Sequence, residues 1–411
     1  MFPVDPAAPP APRLAAGRSH VSIPGPSIMP DRVLQAMHRP APDIYSADLA
    51  AMVDTLYPDL RAVARAPGAG VAIYISNGHG VWEAALLNVL ARGDRVLALS
   101  SGHFARGWAG VAKAVGAAVE TLDFGNGGRI DPDRVEAALR ADREGAIRAV
   151  LVVQVDTANG VRNDIAAVRA AMDAAAHPAL LMVDCIASLG CERFEMDAWG
   201  VDVMLAASQK GLMTPPGLGF VYVGPRAAEA RARADAVTPY WDWAPRIRPD
   251  LFYQLFGGTA PTHHLYALRE ALTMLVHEEG VEAAWARHAA LARAVWAACD
   301  AWGQAGTLRI HIAEPERRSH AITALRTAPG FGTRLRDWVA AEAGVTLGIG
   351  LGMAPPGSAE AHDHFRIGHM GHLNAHGVMG MLGALQSAML ATGMDHGRGG
   401  LDAAAAVCAG R

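Results

Sequence analysis

Cysteine is scarce in this chain, and so is net charge. Four cysteines (Cys185, Cys191, Cys299 and Cys408) stand apart among 411 residues, with no CxxC pair and no zinc-site spacing. A disulfide framework is thereby excluded, and reduced thiols in a cytoplasmic protein are expected. The formal net charge of -4, with no long basic run, argues against nucleic acid or an acidic membrane surface as partner. No apolar run approaches the length of a bilayer span, so no membrane partner is expected. The opening stretch MFPVDPAAPPAPRLAAGRSH is rich in Pro and Ala and lacks the apolar centre of a signal peptide. It reads as a flexible arm over residues 1–20. Apolar residues, by contrast, are plentiful at 51%. They can build a sizeable core, and the length suits one large domain with a smaller one.

Short apolar runs alternate with Ala-rich, helix-length segments. Strands are predicted at 71–76 (VAIYIS), 94–100, 117–124, 148–155, 179–184, 201–208 and 218–224, and helices at 81–92, 104–116, 131–142 and 163–176. Near-continuous apolar strands separated by helices imply a parallel sheet covered on both faces, with ligands beyond the carboxyl ends of the strands. After residue 225 the pattern changes. A loop-rich stretch, YWDWAPRIRPDLFYQLFGGTAPTHH (240–264), leads into helices at about 264–279 and 281–303. RIHIAE, AITALRT, a helix near 332–343, FRIGHMG and a helix near 375–393 then suggest a smaller α+β unit, and GMAPPGSAEAHDH (352–364) an exposed loop. The expected organisation is an arm (1–20), a large cofactor-binding domain with an N-terminal substrate loop (21–275) and a small C-terminal domain (276–411).

Three features sit at the ends of these strands. Gly78, His79 and Gly80 lie in a strand-to-helix turn, where free N–H groups attract a phosphate, although the same glycines also suit an ordinary tight turn. Asp184 ends the run ALLMVD; it is either a helix cap or a charge held for a cationic ligand atom. Lys210 stands between two apolar runs in VDVMLAASQKGLMTPPGLGFVYVG, whereas most lysines are solvated. Desolvation lowers an amine's pKa and frees it to form a Schiff base with an aldehyde. An amine, a phosphate turn and a carboxylate together match pyridoxal 5'-phosphate, which carries an aldehyde, a phosphate and a ring nitrogen.

The stretches IPGPSIMP, SNGHGVWEAAL, DTANGV, VDCIASLG, SQKGLMTPPGLG and FRIGHMG occur, in that order, from about residue 20 to 393. In them the chain resembles the class V (fold type I) pyridoxal-phosphate aminotransferases, in the serine–glyoxylate and alanine–glyoxylate branch. The resemblance implies an α/β fold type I transferase: a large domain with a mostly parallel central sheet covered by helices, plus a smaller C-terminal α+β domain. It also implies Lys210 as the Schiff-base lysine, Asp184 on the ring nitrogen, and Ile186 and Phe104 on the two ring faces. Gly78, His79 and Gly80 would cradle the phosphate with Gln209 beside them, and Thr157 would reach the ring hydroxyl. Thr259 would reach the neighbouring subunit's phosphate, so a homodimer with shared sites is expected. Arg366 would grip the substrate carboxylate through two parallel hydrogen bonds, under the segment containing Pro24 and Gly25. The implied activity is transfer of an amino group from serine, alanine or a related donor to glyoxylate or pyruvate, by a ping-pong aldimine and ketimine route.

Four places depart from the branch's usual pattern: Asn77-Gly78-His79-Gly80, the run Val155 to Gly160, Gly258 before the interface threonine, and Ile44-Tyr45 near the N-terminal substrate loop. They leave the amino donor open. Pyridoxamine–pyruvate or aminophosphonate–pyruvate transamination stands as an alternative. So does a pyridoxal-phosphate lyase or desulfurase, although no cysteine is suitably placed. A non-catalytic scaffold is the third alternative, against which the intact set of Lys210, Asp184 and Arg366 speaks. Among the seventeen histidines, His362 with His364 and His263 with His264 lack third and fourth ligands, so no metal site is expected.

Overall fold

The computed structural model describes residues 14–410; the arm expected at 1–20 therefore lies largely outside the described residues. In chain order the strands are β1 (His20–Ser22), β2 (Gly70–Ser76), β3 (Arg95–Ser100), β4 (Ala118–Asp123), β5 (Ile147–Val153), β6 (Val155–Asp156), β7 (Val161–Arg162), β8 (Leu180–Asp184), β9 (Val203–Ala207), β10 (Gly217–Val223), β11 (Arg309–Ile310), β12 (Ile322–Arg326), β13 (Val345–Ile349) and β14 (His364–Gly368). Seven of them form one sheet in the order β2-β10-β9-β8-β5-β3-β4.

Alternation along each strand divides the core in two. Leu97 and Leu99 of β3, Val150 and Val152 of β5 and Leu181 and Val183 of β8 face one apolar cluster. Their neighbours Val96, Ala149, Leu151, Val153, Leu180 and Met182 face the other. Both faces are thus buried beneath helices, which is why the strands read as continuous apolar runs. Each buried aliphatic side chain contributes roughly 1.5–3 kcal/mol. That outweighs exposed ion pairs such as Arg140–Glu136, worth under about 1 kcal/mol.

β10 runs antiparallel to both β9 and β2. The connection from Ala207 to Gly217 is too short for a helical crossover, so the chain must double back. This doubling back creates the bend that holds Lys210. The helix expected at 264–279 is α-helical over Thr262–Leu272 and continues as a π-helix over Thr273–Glu279. At the switch the Thr273 hydroxyl donates to the Arg269 carbonyl (3.0 Å), competing with the backbone pattern.

A second sheet has the order β1-β13-β14-β12-β11. Two of its pairings were not foreseen: β13, and β1 lying parallel to it with Val21 opposite Thr346. The segment just before the N-terminal substrate loop is thereby tied to the sheet that carries Arg366. Among the described residues, no helix is long and apolar enough to cross a membrane.

Candidate active site

The helix Gly78–Val89 begins directly after β2, with Asn77 as its cap. Asn77 Oδ1 accepts from the N–H groups of His79 (3.1 Å) and Gly80 (3.3 Å). Space at this turn is tight: a Cβ at Gly78 would lie 2.7 Å from Ile186 Cδ1, and one at Gly80 would strike Ser76 Oγ and the Trp241 ring. Trp241 belongs to the YWDW segment, whose backbone is anchored by Tyr74 Oη and Asn88 Nδ2 donating to the Trp241 carbonyl (2.9 and 2.6 Å).

Asp184 ends β8 and is buried. Its Oδ1 accepts from the Ile186 N–H and its Oδ2 from Trp82 Nε1, both at 2.7 Å. Burial nevertheless pushes its carboxyl up to about 6, against those two hydrogen bonds. Trp82 was missed from sequence. Its ring also meets His79 edge-on (centroids 4.7 Å) and lies 6.3 Å from that of Phe104, so three of the expected site residues converge on it. Its position one helical turn after Gly78 was the available signal.

Phe104 opens the helix His103–Ala114. Its N–H donates to Asp156 Oδ2 (2.8 Å), while Asp156 Oδ1 accepts from Ala158 (2.9 Å). Asp156, singled out in the sequence only as part of the departing run Val155 to Gly160, therefore braces the turn that carries Thr157. Burial raises its carboxyl above the usual range. The Thr157 carbonyl accepts from Arg366 Nη1 (2.7 Å), and the Ile349 carbonyl accepts from Arg366 Nε (2.6 Å). Among the described residues Arg366 Nη2 has no hydrogen-bond partner. Burial draws this guanidinium down to about 10, so it stays charged near neutral pH.

Lys210 lies in the bend after β9, and its amine donates to the Pro24 carbonyl. Burial first, then the Arg366 charge, pull that amine down to about 8, opposed by Asp184 and Cys191. The N-terminal segment is fastened along this bend. Ser27 donates its N–H to the Gln209 carbonyl (2.9 Å) and its hydroxyl to the Lys210 carbonyl (2.7 Å). Gly25 has φ +99° and packs so closely that a Cβ would overlap the lysine's amine, Cδ and Cε. Pro24 Cδ would stand 2.6 Å from a Cβ on Gly348, the residue paired with Arg366. Gln209 Oε1 is buried with no partner.

One chain thus gathers Gly78, His79, Gly80, Phe104, Thr157, Asp184, Ile186, Gln209, Lys210, Arg366, Pro24 and Gly25 around the strand ends. It does not gather Thr259, which is exposed just after the Gly257–Gly258 turn. His263 and His264 are held by the Arg39 and Pro216 carbonyls (3.0 and 3.3 Å).

A largely parallel sheet that sets an amine, a carboxylate and a helix start at its strand ends defines the fold type I pyridoxal-phosphate transferases. Within them the chain belongs to the class-V aminotransferases, whose family model matches residues 26–356. It is 38% identical over 386 residues to serine–glyoxylate aminotransferase of Methylorubrum extorquens, covering 92% of each chain. It is 37% identical over 357 residues to L-aspartate–glyoxylate aminotransferase of Paracoccus denitrificans, covering 86% of each. The solved structure of pyridoxamine–pyruvate aminotransferase from Mesorhizobium loti superposes with a TM-score of 0.86 at 28% identity, over 96% of this chain and 98% of that one.

Proposed function

We propose that this aminotransferase moves an amino group from a small amino acid, serine or alanine, to glyoxylate or pyruvate, using pyridoxal phosphate. The observation that carries this reading is the Lys210 amine, lowered to about 8, within electrostatic reach of both buried Asp184 and Arg366. The residues fit the cofactor. Its phosphate would sit at the start of the helix that opens with Gly78–Gly80, with the amide nitrogen of Gln209 as a donor beside it. Ile186 and Phe104 supply apolar faces for its ring, Asp184 an acceptor for its ring nitrogen, and Thr157 a hydroxyl partner. When bound, the cofactor supplies an aldehyde for the lysine and an electron-withdrawing ring.

The chain's own residues would do the rest. Arg366, braced by two carbonyls, offers its free Nη2 edge to the substrate carboxylate. That orients the substrate's α carbon toward Lys210. An amine with a pKa near neutrality can take the α proton and give it back. The segment around Pro24 and Gly25 closes over the lysine and limits water at the reacting carbon.

Thr259, exposed on its glycine turn, would serve the neighbouring subunit's phosphate in a homodimer, which sedimentation measurements would test. The free thiols of Cys185, Cys191 and Cys299, all buried, fit a cytoplasmic protein. Burial pushes the Cys191 thiol up to about 12 and that of Cys185 well above its ordinary value. Neither suits the thiolate nucleophile of a desulfurase.

The deciding experiment mixes cofactor-loaded protein with serine, alanine or aspartate and no acceptor, following the absorption of the lysine-bound cofactor. Loss of that band with one donor and its return with glyoxylate are expected. A band that no donor moves would refute the activity. Similarity to the Mesorhizobium enzyme favours one second reading, pyridoxamine with pyruvate as substrates, which the same assay tests with pyridoxamine on cofactor-free protein.

A further inference from the structure

Behind the site lies a buried polar chain that the reaction does not use directly. Glu192, fully buried, ends the same segment that begins with Asp184. Its Oε1 accepts from the Ser319 hydroxyl (3.1 Å) and the His320 N–H, and its Oε2, though 2.9 Å from His320 Nδ1, makes no hydrogen bond among the described residues. The His320 carbonyl in turn accepts from His369 Nδ1 (2.8 Å). His369 stands three residues beyond Arg366 and is completely buried.

The tautomer of His369 follows from its neighbours. Trp296 Nε1 can only donate, and it donates to Thr323 Oγ1 (3.0 Å). The threonine proton is then free for His369 Nε2 (2.9 Å), leaving Nδ1–H for the His320 carbonyl. Burial lowers this imidazole to about 4, in keeping with a neutral ring. A second cofactor-side segment joins at the same place, because Ser319 N–H donates to the Gly160 carbonyl (2.9 Å), just after Thr157. Residues 319–320 then lead into β12, where Ala324 pairs with Arg366.

We propose that Glu192, through His320 and His369, is a positioning residue that sets the register of Arg366 against the cofactor-holding segment. This rests on Arg366 gripping the substrate carboxylate. A buried carboxylate tied to two backbone-linked groups defines one geometry far more narrowly than apolar packing does. A shift of the second sheet would move the guanidinium relative to Lys210.

The test uses Glu192→Gln, which keeps an acceptor oxygen but removes the charge, and His369→Leu, which cuts the tie without stranding a charge. Arg366→Lys is the reference. In cofactor-loaded protein, both variants should weaken binding of 3-hydroxypropionate, a carboxylate without an amine, and raise the donor KM, each by about tenfold, with kcat within about twofold. The lysine–cofactor absorption band should persist. In cofactor-free protein, amide exchange should quicken across His364–Gly368 but not across Leu180–Asp184. Unchanged carboxylate affinity and unchanged exchange in both variants, while Arg366→Lys loses affinity, would overturn the positioning role and leave the arginine's role standing. Unchanged affinity in Arg366→Lys itself would overturn the carboxylate reading, and this inference with it.

Discussion

Lys210 and Lys113 are the only two lysines in the chain, and they differ in burial: Lys113 is exposed on the helix His103–Ala114. The perturbation is pH. With its pKa brought from 10.5 to about 8, Lys210 holds about one amine in ten neutral at pH 7, against roughly one in three thousand for an unperturbed lysine. The gain in reactive amine is therefore about 300-fold. Cofactor-free protein would be exposed briefly to pyridoxal phosphate between pH 6 and 10, reduced with borohydride, digested and mapped by mass spectrometry. Labelling of Lys210 should rise about tenfold per pH unit up to about 8 and then level off, with Lys113 far behind at pH 7. Lys210 labelling that still climbs steeply beyond pH 9 would refute the desolvation argument. So would equal labelling of the two lysines at pH 7.

The same shift makes a statement about stability. A folded pKa below the unfolded one means that the unfolded chain binds more protons between about 8 and 10.5, so stability rises with pH across that window. Below it, holding the ammonium in place costs up to about 3 kcal/mol. Lys210→Met should therefore be the more stable protein at pH 7 without cofactor, with the difference closing by pH 10.5; denaturant titrations at the two pH values decide. Arg366→Lys loses the two-pronged geometry, so the donor KM should rise by about 10- to 100-fold; steady-state kinetics with a wild-type KM would count against it. Gly25→Ala places a methyl group on Lys210 at a backbone angle that disfavours it. It should lift the N-terminal segment and slow cofactor capture while the melting temperature falls by only a few degrees, as stopped-flow absorbance and calorimetry would show.

Local signals carried much of the architecture. The inner strands of the large sheet, such as β3, β5 and β8, were readable because each is a short apolar run bounded by turn residues and buried on both faces. The edge strand β4, AVETLD, is largely exposed and was readable from its β-branched residues and its place between two helical segments. The Gly78 turn, Asp184 and Lys210 could be singled out because each lies at the end of an apolar run, where ligands of a parallel sheet bind. β13 was not, because VTLGI lies in a Gly-rich stretch whose strand character comes from its neighbours β1 and β14.

The sequence by itself determined the seven strands of the large sheet and most of the helices, and it set an amine, a carboxylate and a guanidinium at Lys210, Asp184 and Arg366. Those properties depend on residues a few positions apart. Tertiary structure alone decided that β10 turns back on β9, that β1 joins the sheet bearing Arg366, and that Trp82 meets Asp184. It alone decided that Glu192 reaches His320 across 128 residues. The Lys210 amine owes its lowered pKa to the same origin. Its pKa is set by burial and by Arg366, a residue 156 positions away in the chain that lies within its electrostatic reach only once the two sheets have packed.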